Sequence, residues 1–288
     1  MFDFRYHLAS LVAVIVMLGV GLLLGAAVAD RGTIERQRAT LFRSIQQDLT
    51  DAKKANDQLK TDVTRNQAFA SASADAFTKG ALTGRTIAVV VNEGSNPGLA
   101  AATTALRNAG AKVAVVRVPD AQFGLGSDAP LMSRVSAVLA STGATADVAQ
   151  AAGKALGDEW AGSGGLGKGP VSEALSSAGK LNISDVTPGV PINGLVLMAA
   201  FKGDSAPALV ALAQQAGNAG VTAAGAQAAA SDVDVVGPVA AAGLSTVDDV
   251  DAPSGGFSLV QILAGAAKGR FGTGAAADQA FPPLGNTR

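Results

Sequence analysis

The stretch Thr86–Val118, TIAVVVNEGSNPGLAAATTALRNAGAKVAVVRV, decides the fold class. Thr86 to Val91 is an unalternating β-branched run, the composition of a strand covered on both faces. Asn92 to Pro97 is rich in turn formers, with Ser95 or Asn96 placed as a cap and Pro97 suited to a first helical turn. Leu99 to Ala109 reads as a helix ended by Gly110, and Lys112 to Val118 repeats the apolar strand pattern. A strand, helix and strand of these lengths form a right-handed crossover between two parallel strands.

The same grammar returns further along. Leu195 to Phe201 reads as a strand, Pro207 to about Gln215 as a helix, Val221 to Ala224 and Val233 to Val236 as short strands, and Leu259 to Lys268 as a last helix. Between the two passes, Leu131 to Trp160 is mainly helical, and glycine and serine over 161–169 mark a flexible connector. The tail 269–288, with Pro282 and Pro283, reads as flexible. These elements predict a Rossmann-like three-layer α/β domain over 84–268, with room for two degenerate βαβ halves.

Outward toward the N-terminus, 31–80 carries helix-favouring sequence. Ile34, Leu41, Ile45, Leu49, Ala52, Asn56, Leu59 and Val63 recur at heptad spacing, with one extra four-residue step between Ile45 and Leu49. This pattern fits a coiled coil, with Asn56 at a core position as a register device, or one amphipathic helix packed on its own domain. The coiled coil is the expectation.

Leu8–Ala29, LASLVAVIVMLGVGLLLGAAVA, is a run of twenty-two uncharged residues. As a helix it reaches ~33 Å, enough for a hydrocarbon core of about 30 Å. It reads as a retained anchor over 1–30 or as a cleaved signal, for which Ala27-Val28-Ala29 supplies a small-x-small site. Its length favours the anchor. Gly21 and Gly25 form a GxxxG, extended by Ala29, that allows close helix approach in lipid. Together with the coil it predicts a parallel homodimer. Flanking charge alone leaves the C-terminal part in the cytoplasm, but long domains translocate regardless of it. An extracytoplasmic domain is expected.

Lys and Arg number 22 against 23 Asp and Glu, so no overall basic field draws the chain to nucleic acid. The absence of cysteine excludes disulfides, thiolate catalysis and Cys metal sites. The single histidine, His7, precedes the apolar run, so no Ser-His-Asp or His-metal constellation falls in the α/β domain. Gly162-Ser-Gly-Gly-Leu-Gly-Lys168 fits the phosphate-loop spacing, but Gly169 stands where Ser or Thr belongs and helical sequence precedes it. Asn92 to Gly98 occupies a dinucleotide-loop position without GxGxxG. Asp248, Asp249 and Asp251 form an acidic turn, read as a solvated helix cap or partner-facing surface, with a hard cation as the lesser alternative. No catalytic, cofactor or metal residue is assigned, and the chain is expected not to be an enzyme.

Phe4-Arg-Tyr-His-Leu-Ala-Ser-Leu-Val-Ala-Val14, GVGLLLG over Gly19 to Gly25, and Gly243-Leu-Ser-Thr-Val-Asp-Asp249 followed by Gly269-Arg-Phe-Gly272 resemble the actinobacterial MctB/SteB-like family of copper-transporter proteins. The resemblance spans nearly the whole chain. It implies an envelope location, with one group of members linked to copper tolerance and another to septal cell separation beside a partner membrane protein. Copper enters only through this resemblance. The soft ligands are few, with Met at 1, 17, 132 and 198 and one His. The expected partners are membrane lipid, a second copy, and a second envelope or cell-separation membrane protein.

Overall fold

One unbroken helix, α1 (Phe4–Thr78), opens the chain, and no proline precedes Pro97 to interrupt it. Within it, Arg5–Val28 is long and apolar enough to cross a membrane. The computed structural model describes residues 4–94, 96–140, 142–204 and 206–283, with the side chains of Phe4 and of 29–35 outside the description. The chain divides into two units, Met1–Asn66 and Gln67–Arg288.

In the second unit, β1 (Thr86–Asn92) and β2 (Lys112–Val118) pair in parallel, from Thr86 opposite Lys112 to Asn92 opposite Val118, with α2 (Leu99–Asn108) as crossover. Five further strands complete one sheet: β3 (Asn182–Ser184), β4 (Gly194–Leu197), β5 (Thr222–Ala226), β6 (Ser245–Val247) and β7 (Arg270–Phe271). The order is β3-β2-β1-β4-β5-β6-β7, and only the β2–β3 pairing is antiparallel. The predicted three-layer α/β class holds.

Alternate strand residues feed two cores. Ala88 and Val90 join Val116, Leu195 and Leu197 on one face, under α3 (Ala129–Leu139), α4 (Thr145–Ala161), α5 (Pro170–Ser177), α6 (Pro207–Asn218) and α7 (Val236–Ala241). Ile87, Val89 and Val91 join Val113, Val115 and Val196 on the other, under α2 and α8 (Pro253–Leu263). Burial on both faces is why the central strands are apolar without alternation.

With few aromatics, close approach replaces bulk. On α4 a Cβ at Gly153 would collide with the Ala208 carbonyl, and one at Gly157 would stand 2.8 Å from Gln215 Cβ and 2.9 Å from the Leu212 carbonyl. These two glycines, one turn apart, let α4 lie on the backbone of α6.

Several expected elements shift. Gly98, not Ser95 or Asn96, precedes α2, without a side-chain cap bond, and Ser95 lies outside the described residues. Val233 to Val235 form no strand and lead into α7, while Ser245–Val247 takes the place beside β5. The last helix begins at Pro253 rather than Leu259. The described part of the tail packs on the domain: β7 extends the sheet, Phe271 bridges to Gln279, and Arg270 grips Asp278 with Nε at 3.0 Å and Nη2 at 2.6 Å.

The connector over 161–169 is also a packed turn. Leu166 is buried and exchanges backbone hydrogen bonds with Val190 and Gly189. Gly165 (φ 72°) needs glycine twice over, since a Cβ there would also lie 2.5 Å from the Gly189 carbonyl carbon.

Candidate functional site

In an open parallel sheet, ligands bind beyond the carboxyl ends of the strands, where the chain reverses direction across the sheet. Here that point lies between β1 and β4. A crevice of about 300 Å³ opens there, lined by Asn92, Asn96, Met198, Gln227, Ser231 and Asp232 among others. Asn92 Nδ2 donates to the Ala200 carbonyl at 2.6 Å, and Asn92 Oδ1 accepts from the Ala200 N–H at 3.3 Å. Asn96 binds back to Asn92, donating from Nδ2 to its carbonyl at 2.8 Å and accepting its N–H at 3.2 Å. Gln227 Oε1 accepts the N–H groups of Val235 and Val236 at 2.9 and 3.2 Å. The crevice's amides therefore brace its own loops.

A dinucleotide would place its pyrophosphate on the N-terminus of α2. At Gly98 (φ 82°) that end is pressed against Val250 and Ala228, where a Cβ would lie 2.8 and 3.2 Å from their side chains. Among the described residues no Lys or Arg lines the crevice, and its one charged group is Asp232. The arrangement disfavours an anion.

At the second phosphate-like motif, the N-terminus of α5 already holds an anion. Glu159 Oε1 accepts the Val171 N–H at 2.8 Å, and Oε2 accepts the Ser172 N–H at 2.9 Å and its hydroxyl at 2.6 Å. Trp160 Nε1 donates to the same Ser172 Oγ at 3.0 Å. Lys168 stands half exposed, 4.0 Å from Glu173. Sequence reading missed Glu159; an acid just before a Gly-rich turn and a Pro-started helix was the available signal.

The acidic turn is not a solvated cap. Asp248 and Asp249 are buried, and α8 begins behind Ala252 with no side-chain cap bond. Asp248 accepts the N–H groups of Thr273 at 2.8 Å and Gly274 at 3.0 Å, which ties β6 to the strand that follows α8. Exposed Asp251 accepts the Ala229 N–H at 2.9 Å. No group of three or more metal-ligating residues occurs among the described residues. Nor do the soft ligands fit copper in this unit: Met132 packs on one core and Met198 belongs to the other, with the sheet between them.

In the first unit, helix geometry gathers the coil positions. At about 100° per residue, Leu41, Ile45, Leu49, Ala52, Asn56, Leu59 and Val63 fall within about 80° of arc. All seven are exposed, Leu49 by 70% and Leu59 by 66%. The side chains of Ala29 and Ile34 lie outside the described residues. Gly21 and Gly25 meet nothing within 4 Å. They sit about 140° round the helix from the middle of the coil stripe. The glycines of the span and the coil stripe therefore lie on different sides of the helix, and two straight parallel copies meeting along the coil stripe turn these glycines away from the seam.

The described residues combine an apolar helix of membrane-crossing length with a doubly wound α/β domain whose crevice loops are braced by its own amides. The chain belongs to the MctB family, described as copper transport outer membrane protein, which matches residues 1–282. No curated protein matches it.

Proposed function

We propose that the protein is a membrane-anchored, dimeric scaffold of the cell envelope that binds a second envelope protein, in cell separation, and performs no turnover of its own. The α/β domain lies outside the cytoplasm. The carrying observation is the exposed stripe from Leu41 to Val63, whose apolar residues occupy one arc of a helix. Such a stripe is stabilised by a second copy in register, with Asn56 selecting that register. The bracing of the crevice by Asn92, and of the α5 N-terminus by Glu159, supports a binding role over phosphate chemistry.

Recovery of the full chain in mild detergent tests this reading. The unaltered protein is expected to carry division or wall-hydrolase partners, and Leu49→Glu with Leu59→Glu to lose them at equal expression. Equal recovery from both would contradict it.

The family description favours a second reading, copper efflux or homeostasis. Met17 in the apolar helix and His7 at its edge offer soft ligands only if several chains converge. Replacing Met132 and Met198 by Leu is expected to leave copper tolerance unchanged. Loss of tolerance at full expression, without a separation defect, would favour the copper reading.

A further inference from the structure

β6 delivers two neighbouring carboxyl groups, and the fold divides hydrogen-bond donors unequally between them. Asp248 has the N–H groups of Thr273 and Gly274 at 2.8 and 3.0 Å, with a second contact from Gly274 at 3.2 Å. Asp249, only 1% exposed, has one weak contact, from Ser254 Oγ to Oδ2 at 3.3 Å. Its Oδ1 is buried and has no partner. The first turn of α8 presses on that oxygen: a Cβ at Gly255 would stand 2.6 Å from Oδ1 and collide with the Asp249 carbonyl.

The charged surroundings are one-sided. Asp248 and Asp251 flank Asp249 on its own segment, and α8 offers only the Ser254 hydroxyl. A groove of about 410 Å³ between the last turns of α1, α2 and the start of α8 is lined by Val250, Asp251 and Pro253, with Asp75 as its other charged group and no cation among the described residues. The loop after β5 contributes a backbone N–H to Asp251. The α8 N-terminus favours a negative charge. Burial of an unpaired carboxylate outweighs it, because desolvation disfavours the charged form.

We infer that the β6–α8 turn is a proton-binding site in which Asp249 is the proton carrier, and that ionisation of Asp249 loosens the Val250–Pro253 wall of the groove. The proton comes from solvent onto a carboxyl oxygen of Asp249, whose O–H then donates to Ser254 Oγ. Burial, then the neighbouring Asp248 charge, holds this carboxyl above its ordinary value of 3.8. Because the folded state keeps a proton that the unfolded chain releases, the stability tied to this group is complete below that ordinary value. It falls as pH rises through the raised one. Asp278, lowered by its hydrogen bond from Arg270, acts in the opposite sense and is lost as pH falls. The inference does not depend on the scaffold reading.

Thermal unfolding of the full chain in detergent, between pH 4.5 and 8, tests it. Asp249→Asn is expected to melt on the order of 2–4 °C higher than the unaltered chain at pH 8, with the difference shrinking toward pH 4.5. Asp248→Asn is expected to melt lower at pH 8 while keeping the decline toward alkaline pH. An Asp249→Asn protein that melts lower, fails to fold, or retains the unaltered pH slope would overturn the inference.

Discussion

Two GxxxG pairs in this chain have different environments. Gly153 and Gly157 on α4 are filled from within, by the backbone of α6. Gly21 and Gly25 in the apolar helix have nothing within 4 Å. The spacing states that a helix can be approached closely; the neighbours available decide what approaches. Inside the α/β domain the sheet holds α4 and α6 together, so glycine serves the fold. On a membrane-length helix, lipid or another chain must supply the contact.

The sharpest way to break this comparison is to add the same side chain to both pairs. Gly153→Leu drives atoms into the Ala208 carbonyl, which is fixed in α6, so the loss is expected to exceed the about 1–3 kcal/mol usual for overpacking. Circular dichroism would then show an unfolded or strongly destabilised α/β domain. Gly21→Leu is expected to leave that domain's melting unchanged. Equal melting curves for both variants would remove the distinction.

A smaller effect is expected at Asp248. Replacing it by Ala strands the buried N–H groups of Thr273 and Gly274, a cost of about 1–3 kcal/mol measurable by urea unfolding. The smallest belongs to Lys168. Its half-exposed contact with Glu173 at 4.0 Å predicts that Lys168→Ala stays within about 0.5 kcal/mol and leaves cell separation intact. A cellular defect at unaltered stability would instead point to chemistry at the glycine-rich turn.

The central strands were legible because burial on both faces leaves an apolar signature in Thr86–Val91 and Lys112–Val118. The edges were not. β3, β6 and β7 span three, three and two residues, too few for a period to show. Val233 to Val236 looked like a strand, yet the N–H groups of Val235 and Val236 bind Gln227 instead of a ladder partner. Glycine misled most. Gly255 and Gly256, inside α8, each mark a close approach, to Asp249 and to Ala105. Gly165 and Gly167 suggested flexibility where the turn needs positive φ. The acidic turn was found by sequence, but its burial was not, because the Thr273 and Gly274 donors come from the segment expected to be a tail.

In the proposed dimer, two copies meet along the Leu41–Val63 stripe. The chain has no cysteine, so a single introduced thiol reports one position without background. Ile45→Cys and Leu59→Cys lie within the stripe, and Lys54→Cys lies about 180° from its centre. Oxidation of the full-length variants in native membrane vesicles is predicted to give a disulfide-linked dimer at Ile45 and Leu59, and little at Lys54. Equal cross-linking at all three positions, or none at Ile45 and Leu59, would contradict it.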